Sequence, residues 1–410
     1  MLKQLKKVIK SNPLLFSKSK CILLYLRYLC SVFSVDKYNN LKEYIPISIF
    51  QVKEKRHHCF FGYYDKSPMN PQESHLAYLK VRNGFNPGEK AEVCVLNIKS
   101  NKSFCVGTTT TWNWQQGCML QWINDCELSY NDYDKDKHIY ISIIINIKTG
   151  NKIINNRAVY SYNSDFSKYL SLNFYRLDIF AKGYGYPYNV DSLDSLKDGI
   201  WECKTGGKSE LLISLGRIID YDVHYEKNIQ HYVNHVTYCP NENNILFIHR
   251  WQEQGTTFTS RLLLYDILND KLTTILDNGH VSHYCWHSEK ELLIYATDSN
   301  GNKGYHIVNI YNGRSKVFEG LPAEDGHPSY SNDMNIVLTD SYPNNRRKQH
   351  LFIYNISNEE LMILDVLKTP FKYYNDERCD LHPRWSFSNK YIMVDNTSNR
   401  LRSIKVYNVK

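Results

Sequence analysis

"SHYCWHSEKELLIYA", residues 282–296, sets two histidines and a tryptophan just ahead of an apolar run. The layout recurs as "NHVTYCPNENNILFI" (234–248), "GHPSYSNDMNIVLTD" (326–340) and "LHPRWSFSNKYIMVD" (381–395). Each unit reads histidine, two residues, an aromatic, a short polar turn and a strand, with His235, His283, His327 and His382 at the head. Working outward on the same register, Tyr63, Met119 and Val159 take the histidine's place in the first half of the chain. The seven anchors are then separated by 56, 40, 76, 48, 44 and 55 residues. A period of about 40–50 residues is that of a four-stranded propeller blade.

A second repeat lies between the anchors: an apolar or aromatic strand, an Asn/Asp turn and a return strand. It reads "VCVLNIKSNKS", "IIINIKTGNKI", "IWECKTGGKSELL", "LLLYDILNDKLTTI", "YHIVNIYNGRSKVF" and "LFIYNISNEELMIL", and the chain ends on half of a seventh, "LRSIKVYNVK". A strand from the N-terminal side, within "PISIFQVKE" (46–54), would complete that last blade and remove its exposed edges. The 76-residue gap holds "DIFAKGYGYPYNVDSLDSLKDG", read as a Tyr/Gly-rich loop on one face. The expectation is an all-β chain: a seven-bladed β-propeller over 45–410, preceded by a basic amphipathic, helical extension at 1–44.

Composition agrees. Apolar residues make up 42% and charged residues 22%, enough to bury a core. Tyrosine is abundant at 33 and glycine sparse at 19, which favours strands. The net charge of +8 suits an anionic glycan or a membrane surface. Basic residues do not cluster outside the N-terminus, which argues against nucleic acid. Eleven cysteines without CxxC pairs read as free thiols in a reducing compartment. No GxSxG, HExxH or phosphate-binding glycine loop is present, and "KTGGKS" (204–209) lacks the GxxxxGK spacing.

The N-terminus combines a basic start with an apolar stretch from Cys21 to Val35 that Arg27 interrupts. Fifteen residues fall short of the roughly 20 needed to cross a bilayer. Lys3, Lys6, Lys7 and Lys10 share one helical side that could rest on anionic lipid, while a helix packed on the domain is an equal alternative. The expected location is the cytoplasm, with residues 1–35 peripheral to the inner face of a membrane.

In a propeller the innermost strand of every blade faces the axis, so four histidines at one register would meet across the channel. Converging imidazoles suit a divalent metal, with Zn, Mn or Ca as candidates, and His235, His283, His327 and His382 as the ligands. His231, His280, Cys379 and Asp380 stand in reserve. The alternative is a packing signature, each ring bonding a neighbouring carbonyl. The first half lacks these histidines and is polar-aromatic instead, in "HHCFFGYYDKSP", "WNWQQGCMLQW", "SYND" and "RAVYSYNSDFSKYLSLNFYRL". Amides and aromatics of this kind hold sugars, which makes Gln115, Gln116, Asn131, Asn173 and Trp114 candidate substrate contacts. Inter-blade packing is the competing account of Trp112, Trp114 and Trp122.

Those segments, above all "FGYYDKSP", "WNWQQGCMLQW", "YND" and "LSLNFYRL", resemble the propeller-type polysaccharide lyases that act on uronate glycans, of the ulvan and rhamnosyl-glucuronate lyase type. The four-histidine half is similar to the oligogalacturonate lyases. The resemblance covers roughly 55–400 by motif and layout. It implies β-elimination at a glucuronate or iduronate residue, with a tyrosine sixteen residues before a catalytic arginine, the spacing of Tyr160 and Arg176. Tyr160 would then be the base, its phenol lowered by Arg176, and Arg176 the clamp on the substrate carboxylate. The family's upstream histidine falls where this chain has Gln115 and Gln116, so His58 (or His57) is the candidate replacement, since an amide cannot be a general base. A protein of capsule or surface-glycan assembly, transferase-like or merely glycan-binding, is the alternative.

Overall fold

The strands fall into seven sheets arranged in sequence order, in a computed structural model that describes residues 13–31, 34–221, 229–252 and 258–410. Blades 1 to 5 span 57–109, 121–155, 161–214, 230–276 and 281–317, each four antiparallel strands. Blade 6 spans 329–368, and blade 7 has three strands of its own between 384 and 408. Its fourth is Ser48–Val52, paired antiparallel to Ser403–Asn408 from Ser48↔Asn408 to Val52↔Ile404. The N-terminal strand therefore closes the ring as the half-repeat at the C-terminus predicts.

Central strands of the blades read as near-continuous apolar runs because both faces are covered by neighbouring blades. Glu291–Thr297 of blade 5 is buried at every position but its first. Its Leu292 and Ile294 pack with Leu246 and Ile248 of blade 4 in one core cluster. The eleven cysteines are free, and six of them, including Cys118 and Cys379, are buried.

Two features depart from the expected layout. Lys42–Glu43 adds a fifth strand, parallel to Glu360–Lys368, at the outer edge of blade 6. Before it, Asp36 binds Lys348 and His350, and Tyr38 donates to Glu324 at 2.6 Å while packing on Phe352. The chain thus joins the propeller ahead of residue 45. The insertion in blade 3 is partly helical: Phe174–Phe180 forms a short helix, capped by the Asn173 side chain accepting from the Arg176 amide.

The extension contains a helix, Pro13–Ser31. Tyr25 and Tyr28 pack on Phe371, with ring centroids 5.8 and 5.3 Å away. Among the described residues, no helix is long and apolar enough to cross a membrane. Lys3, Lys6, Lys7 and Lys10 lie outside the described residues.

Candidate active site at the propeller axis

Irregular backbone aims the histidines at the axis. The pairing register of blade 4 shifts between Asn234 and Thr237, around His235, and that of blade 5 between Val281 and Tyr284, around His283. Such bulges re-aim a side chain that a regular pleat would send to the blade face. His235 and His382 sit at φ 51° and 45°, a left-handed conformation uncommon outside glycine. The four rings run as a chain around the channel, with successive centroids 5.4, 4.2 and 4.4 Å apart from His235 to His382.

Tyr63 fills the middle of that arc. Its ring lies 5.0–6.3 Å from all four imidazoles, and its hydroxyl is 3.0 Å from His235 Nε2. The turn carrying it needs Gly62, at φ 132°, where a Cβ would meet the Gln116 carbonyl at 2.5 Å. Asp395 accepts from the Phe61 and Gly62 amides at 3.1 Å each and pairs with buried Arg384 at 2.8 Å; Arg384 in turn donates to the Tyr63 carbonyl.

Hydrogen bonds fix the tautomers. His382 Nδ1 lies 2.8 Å from the Gly62 carbonyl, which can only accept, so Nδ1 carries the proton and Nε2 the lone pair. His327 Nδ1 lies 2.8 Å from the Asp340 carboxylate, leaving its Nε2 likewise directed elsewhere. Both Nε2 atoms are buried and have no hydrogen-bond partner among the described residues. Asp380 is buried beside them, gripped by Arg378 through bonds of 2.6 and 2.7 Å. The ligand atoms of His327, His382 and Asp380 all lie within 4.8 Å of one another.

Protonation divides this set, because one imidazole is held bare and the other is held towards its charged form. Burial, helped by neighbouring cations, drives His382 and His235 well below the usual imidazole range. Burial would raise Asp380, but Arg378 and the nearby imidazoles hold it below the usual carboxylate range. Burial also opposes a charge on His327, yet Asp340, Asp380 and Asp325 together carry that ring above its ordinary value. Imidazole nitrogens beside a carboxylate fit a divalent transition metal such as Mn, Fe or Zn, with His327 releasing its proton when the metal binds. Calcium, which takes oxygen ligands, does not fit. Of the four expected histidines, His327 and His382 are the two grouped with Asp380, while the His235 Nε2 lies against the Tyr63 hydroxyl and His283 stands on the cavity wall.

Asp325 lies 3.2 Å from His283 Nδ1, while Ser282 donates to its other carboxylate oxygen at 2.7 Å. His283 and Asp325 wall a cavity of about 520 Å³ at the mouth where the innermost strand of blade 4 begins. Tyr342, a second wall residue, packs on His327, as does His283. Lys182 and Tyr184 from the blade 3 insertion, Tyr232, Asn234 and Arg250 of blade 4, His280 and Asp376 complete it. Arg250 donates to Asn234 at 3.1 Å and presents a guanidinium on the wall shared with His235 and His283.

The other mouth holds a second cavity, also about 520 Å³, lined by Trp286, Tyr330 and Trp385, the aromatic members of three of the repeated units. In blade 5 the bulged unit sends His283 to one cavity and Trp286 to the other. Tyr63 and Tyr64 line this cavity and reach across the axis, and Tyr64 donates to the Tyr284 carbonyl at 2.8 Å on the far side of the ring.

The candidate contacts of the polar-aromatic half are bonded within the protein, although Tyr63, Tyr64, Gln121 and Tyr160 of that half line the aromatic cavity. Tyr160 lines the aromatic cavity, and its oxygen accepts from the His235 amide at 2.8 Å and from Gln116 at 3.3 Å. Burial raises its phenol further above the ordinary value, the reverse of what a base requires. Arg176 is bound to buried Asp198 and to the carbonyls of Leu193 and His231, so its fork is already filled. His58 packs on Trp114 and Tyr373, contacts Asn83 at 3.2 Å, and accepts from the Arg402 amide. Burial, reinforced by Arg402 and Lys372, lowers it to about 4, so it serves as a neutral packing residue rather than an acid–base partner. Gln115 donates to the Arg378 carbonyl, Asn131 joins the Val159 backbone and Tyr186, Asn173 caps its helix and reaches Asp198, and Trp114 packs on Phe60 and Trp112.

Sequence reasoning missed Arg250, Asp325 and Asp340. Only Asp340 left a signal: it ends the quoted unit "GHPSYSNDMNIVLTD", as Asp395 ends "LHPRWSFSNKYIMVD".

No protein-family model matches the chain, and no curated protein matches it. Solved structures do. An oligogalacturonate lyase in complex with manganese superposes with a TM-score of 0.64 at 13% identity, over 90% of this chain and 96% of that one. An oligogalacturonate lyase from Vibrio parahaemolyticus gives a TM-score of 0.61 at 10% identity, over 90% and 97%. At these identities the likeness establishes a shared seven-bladed propeller architecture along nearly the whole of both chains.

Proposed function

We propose that the protein is a uronate-specific lyase that works in the histidine-walled cavity by β-elimination. The observation that carries this reading is the pair of buried Nε2 atoms on His327 and His382, without hydrogen-bond partners among the described residues, beside arginine-held Asp380 and behind a wall bearing Arg250 and the Asp325–His283 pair. The likeness to two oligogalacturonate lyases, one a manganese complex, supports a uronate as substrate class and manganese as a fitting ion.

Taking the C5 proton of a uronate requires the charge that develops on its carboxylate to be offset. Arg250 offers the planar fork for that carboxylate. A divalent cation held by His327, His382 and Asp380 would supply Lewis-acid counter-charge when bound. His283 is the base: Asp325 holds Nδ1, which directs the remaining nitrogen to the substrate. The C5–H electron pair becomes the C4=C5 double bond, the C4–O bond breaks, and the leaving oxygen takes up a proton.

The test is ultraviolet absorbance of unsaturated uronate from galacturonate-, glucuronate- and iduronate-containing oligosaccharides. Arg250→Lys and His283→Gln should each lower kcat/KM by about 10²–10³ with thermal stability kept. Full activity in either variant removes the assignment. Calorimetric binding with no absorbance would instead favour a glycan-binding protein of surface-polysaccharide assembly. Elemental analysis should find one equivalent of a divalent transition metal, lost in His382→Ala.

A further inference from the structure

The N-terminal helix turns its apolar residues the wrong way for a surface helix. Cys21, Leu24, Tyr28 and Ser31, spaced by three and four, are its less exposed positions. On the outward side Ile22, Leu23, Leu26 and Leu29 are 61, 48, 52 and 46% exposed. A helix that only covered the propeller would carry polar residues there.

Charge says what covers it. Residues 1–35 hold seven Lys/Arg and no Asp/Glu, so all but +1 of the chain's net +8 belongs to this segment. A second copy docking helix to helix would bring two such segments together. An anionic bilayer meets both needs, taking the leucines below the headgroups and the cations among them. Lys18, Lys20 and Arg27 within the helix suit lying in the interface rather than crossing it.

We infer that the helix Pro13–Ser31 is an interfacial anchor that lays the protein on an anionic bilayer, with the histidine-walled cavity at the anchored edge. The placement follows from one shared segment: Phe371, on which Tyr25 and Tyr28 rest, precedes Asp376 of the cavity wall by five residues. Arg346 fastens the helix exit by donating to the Ser34 carbonyl at 3.1 Å. Resting on the function proposed above, this geometry suits a uronate glycan tethered to a membrane.

Full-length protein should sediment with vesicles of equal parts phosphatidylglycerol and phosphatidylcholine, and not with phosphatidylcholine alone. The variant Leu23→Ser/Leu26→Ser/Leu29→Ser should bind about 100-fold more weakly with an unchanged melting temperature. Hydrogen exchange on vesicle addition should slow over 21–31 and 369–378. Wild-type protein left in the supernatant, a triple variant that binds as wild type, or a dimer that the triple variant dissociates would each overturn the inference. Protection at 285–286 and 328–332 instead would overturn the orientation. Vesicle binding needs no turnover, so lyase activity on soluble oligosaccharides without sedimentation would sink this inference alone.

Discussion

Arg176 and Arg250 show how the same side chain is either locked into the structure or left on a cavity wall. Arg176 is 8% exposed and its donors are taken by Asp198 and two carbonyls. Burial already raises Asp198 above the usual carboxylate range despite the guanidinium beside it. Arg176→Ala therefore leaves a buried carboxylate without its partner and should cost about 3–5 kcal/mol, measured by urea unfolding. Arg250→Lys should leave the unfolding midpoint where it is, because that side chain borders a cavity and, among the described residues, hydrogen-bonds to Asn234. The sixteen-residue spacing of Tyr160 and Arg176 was legible, but nothing in it distinguishes a free guanidinium from a filled one. Asp198, which decides the matter, sits at the end of a tyrosine- and glycine-rich insertion with no period to place it.

At the level of elements, strands and turns were readable because each blade repeats two hydrophobic runs and an Asn/Asp turn. The bulges were not. A register shift around His235 or His283 leaves no mark in alternation, yet it decides that these rings face the axis. In blade 1 the innermost strand holds His58 neutral, at about 4 against 6.5 when free. A depressed value means the unfolded chain takes the proton first. The contribution is whole above pH 6.5 and is lost as pH falls from 6.5 to about 4. His58→Gln should lack this loss, so its stability relative to wild type should improve by about 3 kcal/mol across that window, followed by chemical denaturation at several pH values. A constant difference would mean that His58 does not titrate as its burial requires.

For the whole molecule, closure was the most legible feature, since an unfinished seventh hairpin calls for a strand from elsewhere and "PISIFQVKE" has the right pattern. The parallel addition at Lys42–Glu43 was hidden by its two-residue length. Removing residues 1–33 should leave the ring and its melting temperature intact. Removing residues 1–53 takes away Ser48–Val52 and bares the edge of Ser403–Asn408, which should lower the melting temperature and produce aggregates on size-exclusion chromatography. Similar melting of both truncations would show that the ring does not depend on this clasp.

The tyrosine crosspiece at residues 63 and 64 carries a consequence for how a polymer is handled. On the function proposed above, the phenols that reach from blade 1 to blades 4 and 5 would stand in the way of a saccharide threading along the axis. A lyase so built would take in and let go of its substrate at one doorway, and short fragments clipped from a terminus would be its expected product.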